Sequence, residues 1–234
     1  YNQIIFGDYG LYLQDLKMSK DNQAITIYTD ENENGEAIEV LFDDFHLAEL
    51  FAIIDKENEF FDGNIDGSLL INSVFSKPFV TANLDINDIA VSGNPVGALS
   101  VQSSQNSKTN VVSNNLLLVG PLNNASMTLD YGINDFSTKG ELNIQNLEMS
   151  VIDPYLTNVF VDSEGYVSGL IKINGDLNNL DLKGSLNTHN IKTTPVFTNS
   201  RYIVSDSEIK FTDKEIDFGS VSLTDRIGNV AQVK

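Results

Sequence analysis

The chain has 234 residues, 41% of them hydrophobic, with no cysteine and no tryptophan, and 14 basic against 33 acidic side chains give it a formal charge of −19. The apolar content supports a packed core and argues against wholesale disorder. So acidic a chain repels nucleic-acid phosphates and offers no basic stripe to release their counterions, so nucleic acid is not an expected partner. Without cysteine there are no disulfides, no thiolate metal sites and no cysteine nucleophile.

Period-two alternation dominates the chain and predicts strands. In chain order they cover residues 11–13, 24–28, 36–42, 68–72, 79–86, 97–102, 111–119, 126–131, 140–144, 166–173, 180–187, 208–211 and 216–223, with a last one running into the C-terminus. A polar hairpin loop is expected over residues 30–35, and further turns where Gly, Asn, Asp and Pro cluster, as in Ser92-Gly93-Asn94-Pro95. Two short helices interrupt the strands. The first is predicted over residues 47–60, with Leu47, Leu50, Phe51 and Ile54 at helical spacing, and the second over residues 154–160, opening at Pro154. Nothing alternates with long helices, which argues against a parallel α/β sheet.

The chain repeats itself. Gly63-Asn64-Ile65-Asp66-Gly67 returns 102 residues later as Gly165-Tyr166-Val167-Ser168-Gly169. The register then holds, Ile71-Asn72 falling on Ile173-Asn174, Leu84 on Leu186 and Ile89 on Ile191. Identity is low, so the repeated quantity is a pattern of strand, turn and glycine, the mark of an array. We read residues 1–234 as a single repetitive β domain, with repeat one over about 24–123 and repeat two over about 126–225. The opening Tyr1-Asn2-Gln3-Ile4 is no signal peptide, and the last strand is cut short, so the chain reads as a fragment of a longer one.

Chemistry-bearing motifs are sparse. Asp62, Asn64 and Asp66, followed by Gly67, match the first half of a calcium loop, and residues 30–35 do the same. Position twelve, where a bidentate Glu is needed, is Ser73 in one and Leu41 in the other, so an acidic turn is the stronger reading and calcium the weaker alternative. His46 and His189, the two histidines, occupy different repeat positions and lack ligand spacing. No nucleophile elbow or phosphate loop is present, and carboxylates such as Asp85, Glu141 and Asp217 alternate with apolar neighbours as solvent-facing strand residues do. Neither an enzyme nor a cofactor is expected.

The run from Gly165 to Leu186, through Ile173-Asn174-Gly175-Asp176-Leu177, resembles the repeats of TamB-type proteins in the AsmA-like superfamily, and residues 202–231 are similar to the segment that follows such a repeat in Bacteroidetes-like members. The resemblance implies a curved, taco-shaped sheet with an apolar inner groove. It also implies a section of a periplasm-spanning bridge, anchored in the inner membrane through a part outside this chain. Phospholipid would be the cargo, and an outer-membrane assembly protein a second partner.

The residues themselves support a groove. The fold class expected is all-β with two short helices, built as a repetitive, curved, largely antiparallel sheet whose inner face is apolar. About fourteen strands at roughly 4.8 Å spacing span on the order of 65 Å. The inner face should carry Ile65, Leu69 and Ile71, then Val80, Leu84 and Ile86, with Val167, Ile171, Ile173, Leu182 and Leu186 in the second copy. They alternate with Asp66, Asn72, Asn83, Asp85, Lys183 and Asn187, so a one-residue slip would expose the whole apolar set. Alternatives are a sheet that closes on itself as a dry sandwich, a scaffold pairing its edges with outer-membrane β-proteins, and a glycan-binding module, which the lack of Trp disfavours. Alternation alone leaves open which residues line a groove and which form a dry core.

Overall fold

The computed structural model describes residues 3–7, 10–14, 16–29, 37–54, 61–176, 179–213 and 215–233. The hairpin loop expected over 30–35, with its calcium-like half motif, lies outside them, as do residues 55–60.

Alternating Val, Ile, Leu and Thr produce strands throughout. The first half holds β1 (Gln3–Gly7), β2 (Gly10–Gln14), β3 (Leu16–Lys20), β4 (Gln23–Thr29), β5 (Ile38–His46), helix α1 (Leu47–Ile54), β6 (Phe61–Asn72), β7 (Phe79–Val91), β8 (Asn94–Asn106) and β9 (Val111–Val119). The second half holds β10 (Asn124–Gly132), β11 (Ser137–Glu148), helix α2 (Met149–Leu156), β12 (Phe160–Asp176), β13 (Asn179–Pro195), β14 (Tyr202–Val204), β15 (Glu208–Phe211), β16 (Ile216–Asp217), β17 (Val221–Thr224) and β18 (Val230–Val233). β1 and β2 form a separate hairpin, tied to β4 where Leu13 N–H donates to Thr29 Oγ1 at 2.8 Å. The rest make one curved, open, antiparallel sheet of 16 strands. Its main path runs from β3 through β13 in chain order, then β14, β17 and β18, with β15 and β16 beside β13.

The two halves share a register. Gly67 faces Leu84 across β6–β7 and Phe42 across β5–β6, while Gly169 faces Leu186 and Ile144, each pair displaced by the repeat length. Each β5-type strand carries a bulge at the same place, between Phe42 and Phe45 and between Ile144 and Leu147. One strand departs from the uniform offset. Ile25 opposes Phe42, but Ala125 opposes Ile144, so β10 is displaced by 100 residues from β4, where the sequence suggests the full repeat.

α1 and α2 also correspond, Leu47 to Met149. The sequence places the second helix over 154–160, opening at Pro154; the structure starts it five residues earlier and puts Pro154 inside it. Proline lacks an N–H and favours a first turn, but tertiary packing decides here. Helices of eight residues are marginal alone, and α2 is held where Val151 packs against Ile89, Val91 and Val96 of repeat one. Asn123, almost fully buried, ties its start down: Glu148 N–H donates to Asn123 Oδ1 at 2.8 Å, and Asn123 Nδ2 donates to the Val96 carbonyl at 3.3 Å. α1 packs Leu47, Leu50 and Phe51 against Phe42, Phe45 and Ile65. Both helices therefore cover one end of the same sheet face.

Candidate functional site

Directly opposed residues of an antiparallel pair point to the same side of a sheet. Following the register from strand to strand therefore traces what each face presents. On the helix-bearing face, Met18 of β3 opposes Ile25, which opposes Phe42, then Gly67, Leu84, Val101 and Leu116 of β9. The row continues through Met127, Leu142, Ile171, Gly184 and Phe211 to Ile216 of β16. Every position is apolar or glycine. A second such row runs beside it from Phe45 through Ile65, Ile86, Leu99 and Leu118, and on through Ala125, Ile144, Gly169 and Leu186 to Ile209. The opposite face has its own continuous row. It passes from Lys17 through Thr26, Leu41, Ser68, Asn83 and Gln102, and on through Asn115, Thr128, Glu141 and Lys172 to Lys183.

All eleven residues singled out from the sequence stand on the apolar face. Ile65 opposes Ile86, Leu84 opposes Gly67, Leu69 opposes Ala82, and Ile71 opposes Val80. In the second copy Val167 opposes Thr188, Leu186 opposes Gly169, Ile171 opposes Gly184, and Ile173 opposes Leu182. Burial separates them. Ile65, Val167 and Ile171 are core residues, exposed by 3%, 6% and 5%, whereas Val80 and Leu182 expose 45% and 37%. Leu69, Ile71, Leu84, Ile86, Ile173 and Leu186 lie between. Among these eleven residues the ones nearest the helices are dry, and Val80 and Leu182, towards the hairpin tips, are half-open.

The rows add residues that the repeated glycine motif does not mark. Val101, Leu116, Met127 and Leu142 complete the apolar path between the two copies. Val101 and Met127 were accessible from alternation. Leu116 was not, because it begins the run Leu116-Leu117-Leu118, in which no period is visible. Polar residues also occupy this face unannounced, Ser103 and Asn114 among them. Ser103 opposes Asn114, and its Oγ donates to Asn114 Oδ1 at 2.7 Å.

The polar candidates are spread out. Asp62, Asn64 and Asp66 lie along one extended strand, with Asp62 Oδ1 accepting from Gly63 N–H and Asp66 Oδ1 from Asp44 N–H, so their carboxylates do not converge on one point. Among the described residues no group of three His, Asp or Glu side chains is placed to share a metal ion. His189 stacks on the Tyr166 ring at 4.7 Å, with Nε2 at 3.0 Å from Ser168 Oγ on the polar face.

Charged pairs decorate the exterior. Glu164 bridges Lys192 at 3.2 Å and Arg201 at 2.6 Å; the Lys192 hydrogen bond, then the Arg201 charge, hold its carboxyl below the ordinary carboxylate range. Glu49 is lowered likewise, by hydrogen bonds from Lys20 and Gln23. Lys183, bonded first to Asp213 and then to Asp181, is raised. No helix among the described residues is long and apolar enough to cross a membrane. No protein-family model, curated protein or solved structure matches the chain.

Proposed function

We propose that this chain is a section of a periplasmic bridge whose apolar face carries phospholipid acyl chains towards the outer membrane, as its resemblance to TamB-type proteins of the AsmA-like superfamily implies. The observation that carries the reading is the apolar row from Met18 to Ile216, with a half-exposed flank at Leu69, Ile71, Ile173 and Leu182 and no second sheet across it among the described residues. Burying one large aliphatic side chain is worth about 1.5–3 kcal/mol. A face of this length left wet is therefore costly, and acyl chains need nothing from it but apolar contact. The acidic, polar exterior leaves head groups in solvent. No step of covalent chemistry is involved, and the chain acts by holding and aligning its cargo.

The experiment separates groove from core. Leu69→Asp and Leu182→Asp are expected to fold, by circular dichroism, and to lose the phospholipid extracted from the wild type. Ile65→Asp and Ile171→Asp are expected to unfold, because a carboxylate would be buried without a partner. Unfolding at all four positions, with no lipid in the wild type, means a dry core and sinks the reading.

A further inference from the structure

We propose that the rim between β7 and β8 is a lateral portal, latched by Phe79, through which a lipid head group projects from the apolar face. Its purpose rests on the acyl-chain reading above; the opening itself does not.

The strand register locates it. At the hairpin rim β5–β6 pairs as far as Ile38 and Ile71, β9–β10 as far as Val111 and Gly132, and β11–β12 as far as Ser137 and Asp176. The ladder between β7 and β8 stops short, at Asn83 and Gln102. Beyond it, residues 79–82 still pair with β6 and residues 103–106 still pair with β9. Each strand end is thus held on one side only, and the sheet is split within repeat one.

Two further features converge on the split. Phe79, the first residue of β7, is buried with Val112 of β9 and Ile133 beyond β10, so its ring reaches past β8 and pins the free end. The apolar face also turns polar here. The row that reads Leu16, Ile27, Val40, Leu69 and Ala82 on one side resumes as Leu129, Gly140, Ile173 and Leu182 on the other; between them stand Ser103 and Asn114. Asn114 Nδ2 donates to the Leu129 carbonyl at 3.0 Å, so the pair is built in and not a stray substitution. Separating β7 from β8 breaks no ladder bond over four residues. It has to release the Phe79 ring, and it uncovers a hydroxyl and an amide suited to a polar head group.

A chain without cysteine takes site-specific spin labels cleanly. Lys77→Cys with Gln105→Cys reports the rim, and Asp85→Cys with Glu141→Cys reports the paired sheet. The rim distance should be broader than the control in the parent and shift outward in Phe79→Ala, while Phe79→Leu restores it. The control distance should stay narrow in all three. A second arm closes the split with a disulfide between Thr81→Cys and Ser104→Cys, which extend the observed register on the polar face. Oxidation should slow exchange of a head-group-labelled phospholipid at least about tenfold against the reduced form. A rim distribution as narrow as the control and unmoved by Phe79→Ala overturns the portal, as does exchange unchanged by oxidation. Absence of bound lipid overturns the proposed function instead, and the spin-label distances alone then decide whether the rim opens.

Discussion

Replacing Gly67 by alanine tests the shared backbone trace of the two copies. Gly67 has φ +118 and Gly169 has φ +150, both in the region that favours glycine. A methyl built on either would stand under 3.0 Å from a backbone carbonyl oxygen of the next strand, Asn83 for Gly67 and Ser185 for Gly169. Backbone cannot swing aside as a side-chain tip can, so the ladder must open locally. The strained φ costs about 1–3 kcal/mol, and each displaced ladder bond about 0.5–1.5 kcal/mol more. A loss of about 3–5 kcal/mol is expected at both sites, a large share of the roughly 5–15 kcal/mol that holds a typical domain. Gly93 is the control, since its φ is +77 but nothing lies within 4 Å of its would-be methyl. Gly93→Ala should lose only about 1 kcal/mol. Urea unfolding of the three variants reads these differences directly. Equal, small losses at all three positions would refute the steric argument; a large loss at Gly67 with none at Gly169 would refute the common trace.

Ser163 and Thr193 hydrogen-bond through their hydroxyls at 2.9 Å in the core, where repeat one has Phe61 and Val91. Thr193→Val alone should cost about 1–3 kcal/mol by stranding the Ser163 hydroxyl, and adding Ser163→Ala should recover most of it in thermal unfolding. Ile171→Ala, in the dry part of the face, should cost about 2–5 kcal/mol, against less than about 1 kcal/mol for the half-exposed Leu182→Ala. Glu164 titrates below its ordinary value of 4.5, so its ion pairs contribute stability above that value and lose it as pH falls through the lowered one. Lys192→Met should therefore raise the Glu164 pKa measured by NMR, and any destabilisation it causes at neutral pH should vanish in acid.

Much of the fold was legible because a half-buried strand writes its face into every second residue. Ile65, Leu69 and Ile71 against Asp66 and Asn72 is enough to fix a phase. The phase could not say which of those residues would be dry, since Ile65 is covered by α1 and Leu69 lies nearer the open flank, a difference of tertiary contact. Strand length was underestimated where bulges break the period: β12 and β13 run to 17 residues each, with register shifts between Val161 and Tyr166. β1, β3 and the three-residue β14 were missed altogether, and the single strand expected over 216–223 is two, β16 and β17, broken at residues 218–220. β3 reads Leu-Lys-Met-Ser-Lys, a short edge strand with few apolar residues. The second helix was misplaced because Pro154 is a strong local signal, while the contact of Val151 with Ile89 and Val91 joins residues some sixty positions apart. The split between β7 and β8 leaves no mark in either strand's composition, since it is a property of pairing.

The central claim is that the apolar face holds acyl chains. A photoreactive phenylalanine placed at Leu84 or Leu142, and at Asp85 or Asn143 on the opposite side, tests it most directly in the full-length protein within intact cells. Mass spectrometry of the irradiated protein should find phospholipid attached at Leu84 and Leu142 and none at Asp85 and Asn143. Lipid attached equally on both sides, or on neither, would contradict the account.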